Sequence, residues 1–147
     1  LLAGAGAAVG IALLGWLGAF SALKLLIAPM GASCVLLYSA PASPLSQPVN
    51  VIGGHILGAL TGLFIDLLLP AGLAAPAIAV GLTIALMMTL RITHPPAGAT
   101  ALVAAATSQH QGEFIASVLL ASLLLVGVTI AWHRFTGISY PLKPAEA

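Results

Sequence analysis

Long apolar stretches with almost no charged residues are the feature that most constrains this chain. Three of them, residues 1–23, 51–69 and 114–132, approach the roughly 20 residues that a helix needs to cross a hydrocarbon core about 30 Å thick. Only 5% of the residues are charged and 61% are hydrophobic, whereas a soluble domain carries about 25% charged residues. The sequence therefore predicts an integral membrane protein, in contact with the lipid bilayer. A net charge of +1 offers no basic surface for nucleic acid.

The first residues lack both a methionine and a basic region in front of their apolar run. We therefore interpret them as a transmembrane helix whose upstream flank is missing, and not as a complete signal peptide. Cys34 is the only cysteine, which excludes an intrachain disulfide and a cysteine-rich metal site.

Three further apolar stretches are shorter. Residues 74–90 are slightly short of a full crossing, and residues 31–40 and 97–107 are clearly short and follow prolines. The sequence thus predicts an all-α membrane protein with about six helical membrane segments, four long and two short and broken by proline. All six belong to a single transmembrane domain, residues 1–147.

The two short segments resemble each other at a spacing of 67 residues. Subtracting 67 aligns Arg91 with Lys24, and it aligns "PAGAT" at 96–100 with "PMGAS" at 29–33. Both halves then read as a long helix, a cation, a Pro-x-Gly-Ala-[Ser/Thr] break, a short helix and another long helix. This pattern indicates an internal repeat, residues 1–73 and 74–147.

Whether the short middle segment crosses the membrane decides the symmetry of this repeat. If it crosses, the halves form a 3+3 inverted repeat, and if it is re-entrant, they are parallel. With six crossings, Arg91, Arg134 and Lys143 share one side, and Lys24 lies alone on the other. The positive-inside rule favours this arrangement, with both termini cytoplasmic, in what we expect to be a bacterial inner membrane.

Three glycines, Gly54, Gly58 and Gly62, recur every four residues and predict one face of a helix that another helix can approach closely. The contact could lie within the chain or between subunits. Because six short elements enclose a small interior, we expect a homodimer.

Lys24 and Arg91 are candidate functional residues because an ionisable side chain inside a membrane segment costs at least about 2.5–3.5 kcal/mol at mid-depth. The alternative is that each reaches the membrane interface from the end of its helix. Their matched positions, each five residues before a proline, favour a functional role.

The prolines predict that a helix restarts near Gly31 and Gly98. The first N–H groups of such a helix have no internal partner, so they form an anion site at the positive end of the helix dipole. A similar start is predicted at "QPVNVIGGH", with Asn50 as the cap. The alternative is that each break only lets a short helix turn. The candidate anion-binding residues are Lys24, Pro29, Gly31, Ala32, Ser33, Asn50, Gly53, Gly54, His55, Arg91, His94, Pro95, Pro96, Gly98, Ala99 and Thr100.

The histidines have two interpretations. His55 and His94 lie at the breaks, where a hydrogen-bonded structural role is the commoner outcome and proton coupling is the alternative. His110 and His133 lie at segment ends, where we expect them at the membrane interface. No zinc-binding spacing and no Ser-His-Asp arrangement occurs, so we expect no metal, no cofactor and no enzymatic activity.

Three motifs resemble the HPP family of integral membrane proteins. They are "APMGASCVLLYSAPASPLSQP" at 28–48, "NVIGGH" at 50–55 and "HPPAGATAL" at 94–102, in the family's order, and the resemblance covers nearly the whole chain. Val49 stands where relatives often carry a larger or basic residue. The resemblance implies a small membrane protein, usually described with four spans against the six segments predicted here.

Cyanobacterial and plastid relatives in this family are associated with nitrite transport, so the resemblance implies a small inorganic anion as substrate. Together with the predicted helix starts, it favours a membrane transporter or channel for such an anion, with nitrite as the best candidate. The alternative is a membrane sensor or anchor module that transports nothing.

Overall fold

The computed structural model describes residues 1–70, 72–106 and 111–142, which contain helices and no strand. The helices are α1 (Leu2–Ala19), α2 (Ala28–Ser39), α3 (Pro48–Leu68), α4 (Ala74–Leu90), α5 (Pro96–Ala106) and α6 (Gln111–Thr136). A 3₁₀ turn, Pro44–Ser46, lies between α2 and α3. The predicted all-α class is confirmed, and each predicted segment overlaps one helix.

Within the described residues, three helices are long and apolar enough to cross a membrane, namely Leu2–Ala19, Pro48–Leu68 and Gly112–Thr136. At 1.5 Å per residue, the 17 residues of α4 extend about 26 Å, whereas α2 and α5 extend less than about 20 Å. The two short helices are therefore too short to cross an apolar layer by themselves.

Proline determines where three helices begin. Pro29 lies in the first turn of α2, and Pro48 and Pro96 are the first residues of α3 and α5. A helix tolerates proline there because the first N–H groups have no acceptor inside the helix. The residues before α2 and α3 are extended, with ψ 147° at Ile27 and ψ 149° at Gln47. Gln47 directly precedes Pro48, and proline favours this conformation in the residue before it. Asn50 therefore lies within the first turn of α3, and the prediction that it caps this helix was wrong.

Arg91 ends α4 by adopting a left-handed backbone conformation, with φ 56° and ψ 36°. Its N–H donates to the Met88 carbonyl, and the N–H of Ile92 donates to the Met87 carbonyl. These bonds satisfy carbonyls that the helix leaves without partners. The exposed cation also lies at the negative end of the helix dipole, where positive charge is favourable.

Contacts between named residues fix the relative directions of the helices. Gly6 and Gly10 of α1 face Trp132 and Leu125 of α6, so these two helices are antiparallel. Gly54, Gly58 and Gly62 of α3 face His94, Ala97 and Ala101, in that order, so α3 and α5 are parallel.

The remaining helices follow the same alternation. Thr83 of α4 bonds Thr61 of α3, and Ile92, just after α4, faces Gly53 near the start of α3, so α3 and α4 are antiparallel. His133 near the end of α6 bonds the carbonyl of Leu37 near the end of α2, so these two helices are parallel. Consecutive helices therefore alternate in direction along the chain.

This alternation divides the connections between two ends of the bundle. The Leu45 end holds the α2–α3 connection (40–47), the α4–α5 connection (91–95) and the residues after α6 (137–142). The Lys24 end holds the α1–α2 connection (20–27) and the end of α3. The non-helical residues before α2 and those before α5 thus lie at opposite ends of the bundle.

The packing of the six helices has the same pattern when the two halves are exchanged. The contact of α1 with α6 corresponds to that of α4 with α3, and the contact of α2 with α6 corresponds to that of α5 with α3. The exchange turns the contact of α2 with α5, and that of α3 with α6, into a contact between the same two helices. The short helices α2 and α5 therefore meet at the centre of this arrangement.

The glycine stripe of α3 makes an intrachain contact. A Cβ atom on Gly58 would lie 2.4 Å from the carbonyl oxygen of Ala97, and one on Gly62 would lie 2.4 Å from the Cβ of Ala104. Only residues without a side chain allow α3 and α5 to approach this closely. The sequence left open whether this stripe faces another subunit, and it faces α5. The homodimer stays a prediction, without this stripe as its support.

We expect Gly58→Ala to destabilise the protein. The added methyl group would clash with the backbone of Ala97, so α3 and α5 must separate, which lowers the free energy of unfolding by about 1–3 kcal/mol. The measurement is the Tm in detergent, followed by tryptophan fluorescence.

The matched control for this substitution is Gly127→Ala on α6. A Cβ atom there would meet nothing within 4 Å, and alanine favours a helix over glycine. We expect its Tm to equal or exceed that of the wild type. Equal Tm values for the two variants would contradict the close α3–α5 contact.

Candidate functional site

Four polar side chains meet where α2, α3 and α5 come together. Ser33 comes from α2, His55 from α3, His94 from the connection before α5, and Thr100 from α5. All four are fully buried, each with 0% relative exposure. We term these four residues the central cluster.

Hydrogen bonds join the members of the central cluster into one chain. The Ser33 Oγ lies 2.8 Å from the His55 Nε2 and 2.9 Å from the His94 Nε2. The His55 Nδ1 lies 2.7 Å from the Thr100 Oγ1, and the His94 Nδ1 lies 2.8 Å from the carbonyl oxygen of Leu45. The two imidazole rings are nearly edge to face, with centroids 5.0 Å apart.

The chain of bonds has one consistent proton arrangement when both rings are neutral. The Leu45 carbonyl can only accept, so the His94 Nδ1 carries the proton and its Nε2 accepts from the Ser33 hydroxyl. The Ser33 Oγ then accepts from the His55 Nε2–H, and the His55 Nδ1 accepts from the Thr100 hydroxyl. The hydrogen bonds thus run in one direction, from the Thr100 hydroxyl through the side chains to the Leu45 carbonyl.

The hydrogen bonds among these side chains offset the cost of burying them in an apolar interior. A buried polar group without a partner costs about 1–3 kcal/mol, and the cost grows when no water can reach it. The ring nitrogens of both histidines have partners within the cluster or on the backbone. The four side chains therefore constrain the positions of the three helices that carry them.

The backbone around the cluster is held at the Leu45 end. The Asn50 Nδ2 donates to the Thr93 carbonyl at 3.0 Å and so fixes the connection before α5. The Tyr140 hydroxyl donates to the Ser46 carbonyl at 2.9 Å, and the Gln47 Oε1 accepts from the Leu142 N–H. The residues after α6 thereby hold the connection that presents the Leu45 carbonyl to His94.

The candidate residues from the sequence fall into two groups. Ser33, His55, His94 and Thr100 form the central cluster, and Gly53 and Gly54 pack against Ile92 and His94. The remaining candidates lie outside the cluster. Among them, the buried residues are Pro29, Pro96 and Gly98, the half-buried residue is Asn50, and the exposed residues are Lys24, Gly31, Ala32, Arg91, Pro95 and Ala99.

Lys24 and Arg91 lie outside the cluster, at opposite ends of the bundle. Lys24 is exposed in the connection after α1, and Arg91 is exposed at the end of α4. At the start of α5, the N–H groups of Ala97 and Gly98 already donate to the His94 and Pro95 carbonyls, at 2.9 and 3.1 Å. The histidines and hydroxyls, rather than the cations, thus occupy the centre.

Two features of the structure were not predicted from the sequence. The Leu45 carbonyl is a backbone atom, so no side-chain pattern identifies it. His133 was expected at the membrane interface, and it is instead buried between the rings of Tyr38 and Tyr140. His110 lies outside the described residues. Within the described ranges, no three His, Cys, Asp or Glu side chains are grouped to hold a metal ion.

The comparison with protein families identifies the family of this chain. The transmembrane region of HPP proteins matches residues 1–141. The chain belongs to the HPP family. It is an integral membrane protein, as the three long apolar helices also indicate.

Two relatives of this HPP chain, both from Dictyostelium discoideum, are named as transmembrane proteins. One is 34% identical over 129 residues, which are 82% of this chain and 45% of the relative. The other is 40% identical over 90 residues, which are 58% of this chain and 29% of the relative. The chain thus spans less than half the length of either relative. No solved structure matches it.

We expect Ser33→Ala to lower the stability of the HPP chain by about 1–3 kcal/mol, because it leaves the Nε2 atoms of both imidazoles without a partner. The measurement is the Tm of the purified protein in detergent.

Ser122→Ala is the matched control, because Ser122 is equally buried and its hydroxyl donates to the Leu119 carbonyl of its own helix. We expect a smaller loss of stability there. If both serine variants melt at the same temperature, the central cluster does not stabilise the bundle as described.

Proposed function

We propose that this HPP protein transports a small monovalent inorganic anion across the membrane, with nitrite as the first candidate, and that the anion binds at the central cluster. The observation that carries the proposal is the burial of four polar side chains where two proline-broken helices meet. Polar groups at such positions in a membrane protein are costly to bury, and they commonly mark a substrate or ion pathway.

The chemistry of the cluster suits a small anion. The Ser33 and Thr100 hydroxyls and the His55 Nε2–H are donors within one hydrogen-bonded group. Hydrogen bonds from such donors to a charged acceptor are stronger than bonds between neutral groups. The resemblance of the three motifs to relatives associated with nitrite transport favours nitrite among such anions.

We further propose that the halves act as an inverted repeat. Two features support this proposal: consecutive helices alternate in direction, and the helix contacts keep their pattern when the halves are exchanged. The cluster is closed on all sides, so an anion reaches it only when one half moves relative to the other. Such rocking about a central site is how inverted-repeat transporters give alternating access.

The exposed cations have a secondary role in this proposal. Lys24 and Arg91 lie at opposite ends of the bundle, where positive charge attracts an anion toward the protein. Arg91 and Arg134 lie at the Leu45 end and Lys24 at the other, so the positive-inside rule favours a cytoplasmic Leu45 end. This orientation gives a cytoplasmic N-terminus, as expected for a bacterial inner membrane.

The test is uptake of nitrite by proteoliposomes that contain the purified protein, with protein-free vesicles as the baseline. We expect saturable uptake, and we expect Thr100→Val to raise KM about tenfold or more, because a lost hydrogen bond to a charged group costs about 1.5–3 kcal/mol. Thr89→Val is the control, since Thr89 is exposed on α4 and bonds the Ala85 carbonyl of its own helix.

Two further variants separate the cluster from the cations. Lys24→Gln and Arg91→Gln should keep uptake within about threefold of the wild type at physiological salt, because screening weakens exposed charges. Uptake that is equal in wild-type and protein-free vesicles would contradict transport. It would then favour a sensor or anchor role.

A further inference from the structure

An anion that enters the central cluster brings a negative charge into an apolar interior, where an uncompensated charge is very costly. None of the four cluster side chains carries a fixed positive charge. Within the described ranges, no hydrogen bond or ion pair joins either imidazole to a charged side chain. The two imidazoles are the cluster groups that can supply a compensating charge, by taking up a proton.

The helices packed around the two rings contribute few other titratable groups. Cys34 follows Ser33 on α2 and is buried, and Asp66 lies three helical turns beyond His55 on α3. On α6, Glu113 and Arg134 are exposed, and His133 donates its Nε2–H to the Leu37 carbonyl. The remaining titratable residue of α2 is Tyr38, and α1, α4 and α5 have none. Among the described residues, each imidazole thus has the other as a titratable neighbour, with ring centroids 5.0 Å apart.

His94 can accept a proton without moving its ring. Its Nδ1–H already donates to the Leu45 carbonyl, and a proton on the Nε2 would donate to the Ser33 Oγ. The Ser33 hydroxyl proton would then turn to the Pro29 carbonyl, which lies 3.2 Å from the Ser33 Oγ. A hydroxyl oxygen accepts two hydrogen bonds while donating one, so every group keeps a partner.

We infer that His94 takes up one proton together with the anion, so that the HPP protein catalyses electroneutral proton–anion symport. The inference rests on the proposed function and names its coupling ion. On the side from which the anion comes, water supplies a proton and an N–H bond forms at the His94 Nε2. On the other side this bond breaks and the proton returns to water as the anion leaves. The anion itself keeps all its bonds.

The experiment follows nitrite and internal pH together in proteoliposomes. The vesicles contain the pH dye pyranine, and potassium with valinomycin holds the membrane potential at zero. An inward nitrite gradient at equal pH should acidify the interior by about one proton per nitrite above the protein-free baseline. That baseline matters because nitrous acid crosses bilayers unaided. An acidic exterior should increase the uptake.

His94→Asn is the test variant, because the asparagine amide can keep the bond to the Leu45 carbonyl but cannot take up a proton. We expect proton-coupled uptake to fall at least tenfold and the residual uptake to lose its dependence on external pH. His133→Gln is the control, since this histidine is also buried and bonded to a carbonyl. The control should keep about one proton per nitrite.

Each remaining outcome separates the inference from the proposed function. Saturable wild-type nitrite uptake without acidification overturns the symport and leaves transport standing. The same holds if His94→Asn keeps both the proton ratio and the pH dependence. Nitrite uptake equal to the baseline would contradict transport itself, and the symport that rests on it would fall with it.

Discussion

The Ser33 hydroxyl between two imidazoles is the contact on which the rest of this structure depends. It contacts the Nε2 atoms of His55 and His94 at 2.8 and 2.9 Å, and so connects α2 to α3 and to the residues before α5. Without it, two buried rings would each lose a partner in a region that water does not reach. Within the cluster, Ser33 is the residue that bonds both histidines. Its hydroxyl therefore holds the helices together and also contacts the nitrogen atom at which we propose that the proton is bound.

This contact requires that the helices approach closely. The glycine stripe of α3 lets α5 lie against its backbone, with Gly54 directly against His94 and Gly58 against Ala97. Larger residues there would move Thr100 and His94 away from His55. The prolines set the starting points of the short helices, and hence the depth at which Ser33 and Thr100 enter the bundle. The glycines of α3 therefore position polar residues that are distant in sequence, and the prolines position the hydroxyls of Ser33 and Thr100 four residues after them.

The sequence predicts the helices well because apolar length and proline are local signals. Ser33, His55, His94 and Thr100 were all candidates because polar groups are costly within a membrane segment. Their pairing could not be predicted, since Ser33 lies 22 residues from His55 and 61 from His94. The repeat favoured a functional role for Lys24 and Arg91. In the structure both are exposed, since Arg91 ends α4 and Lys24 lies in a connection. The Leu45 carbonyl has no side-chain signal at all.

The central claim is that the central cluster, with its two histidines, binds the transported anion. Nitrogen-15 NMR of histidine-labelled protein in lipid vesicles tests it most directly, with resonances assigned through single His→Gln variants. Without an anion, His94 should be neutral with its proton on Nδ1, and His55 neutral with its proton on Nε2. Saturating nitrite should shift both sets of resonances and leave those of His133 unchanged. Resonances of His55 and His94 that do not respond to nitrite would contradict the account.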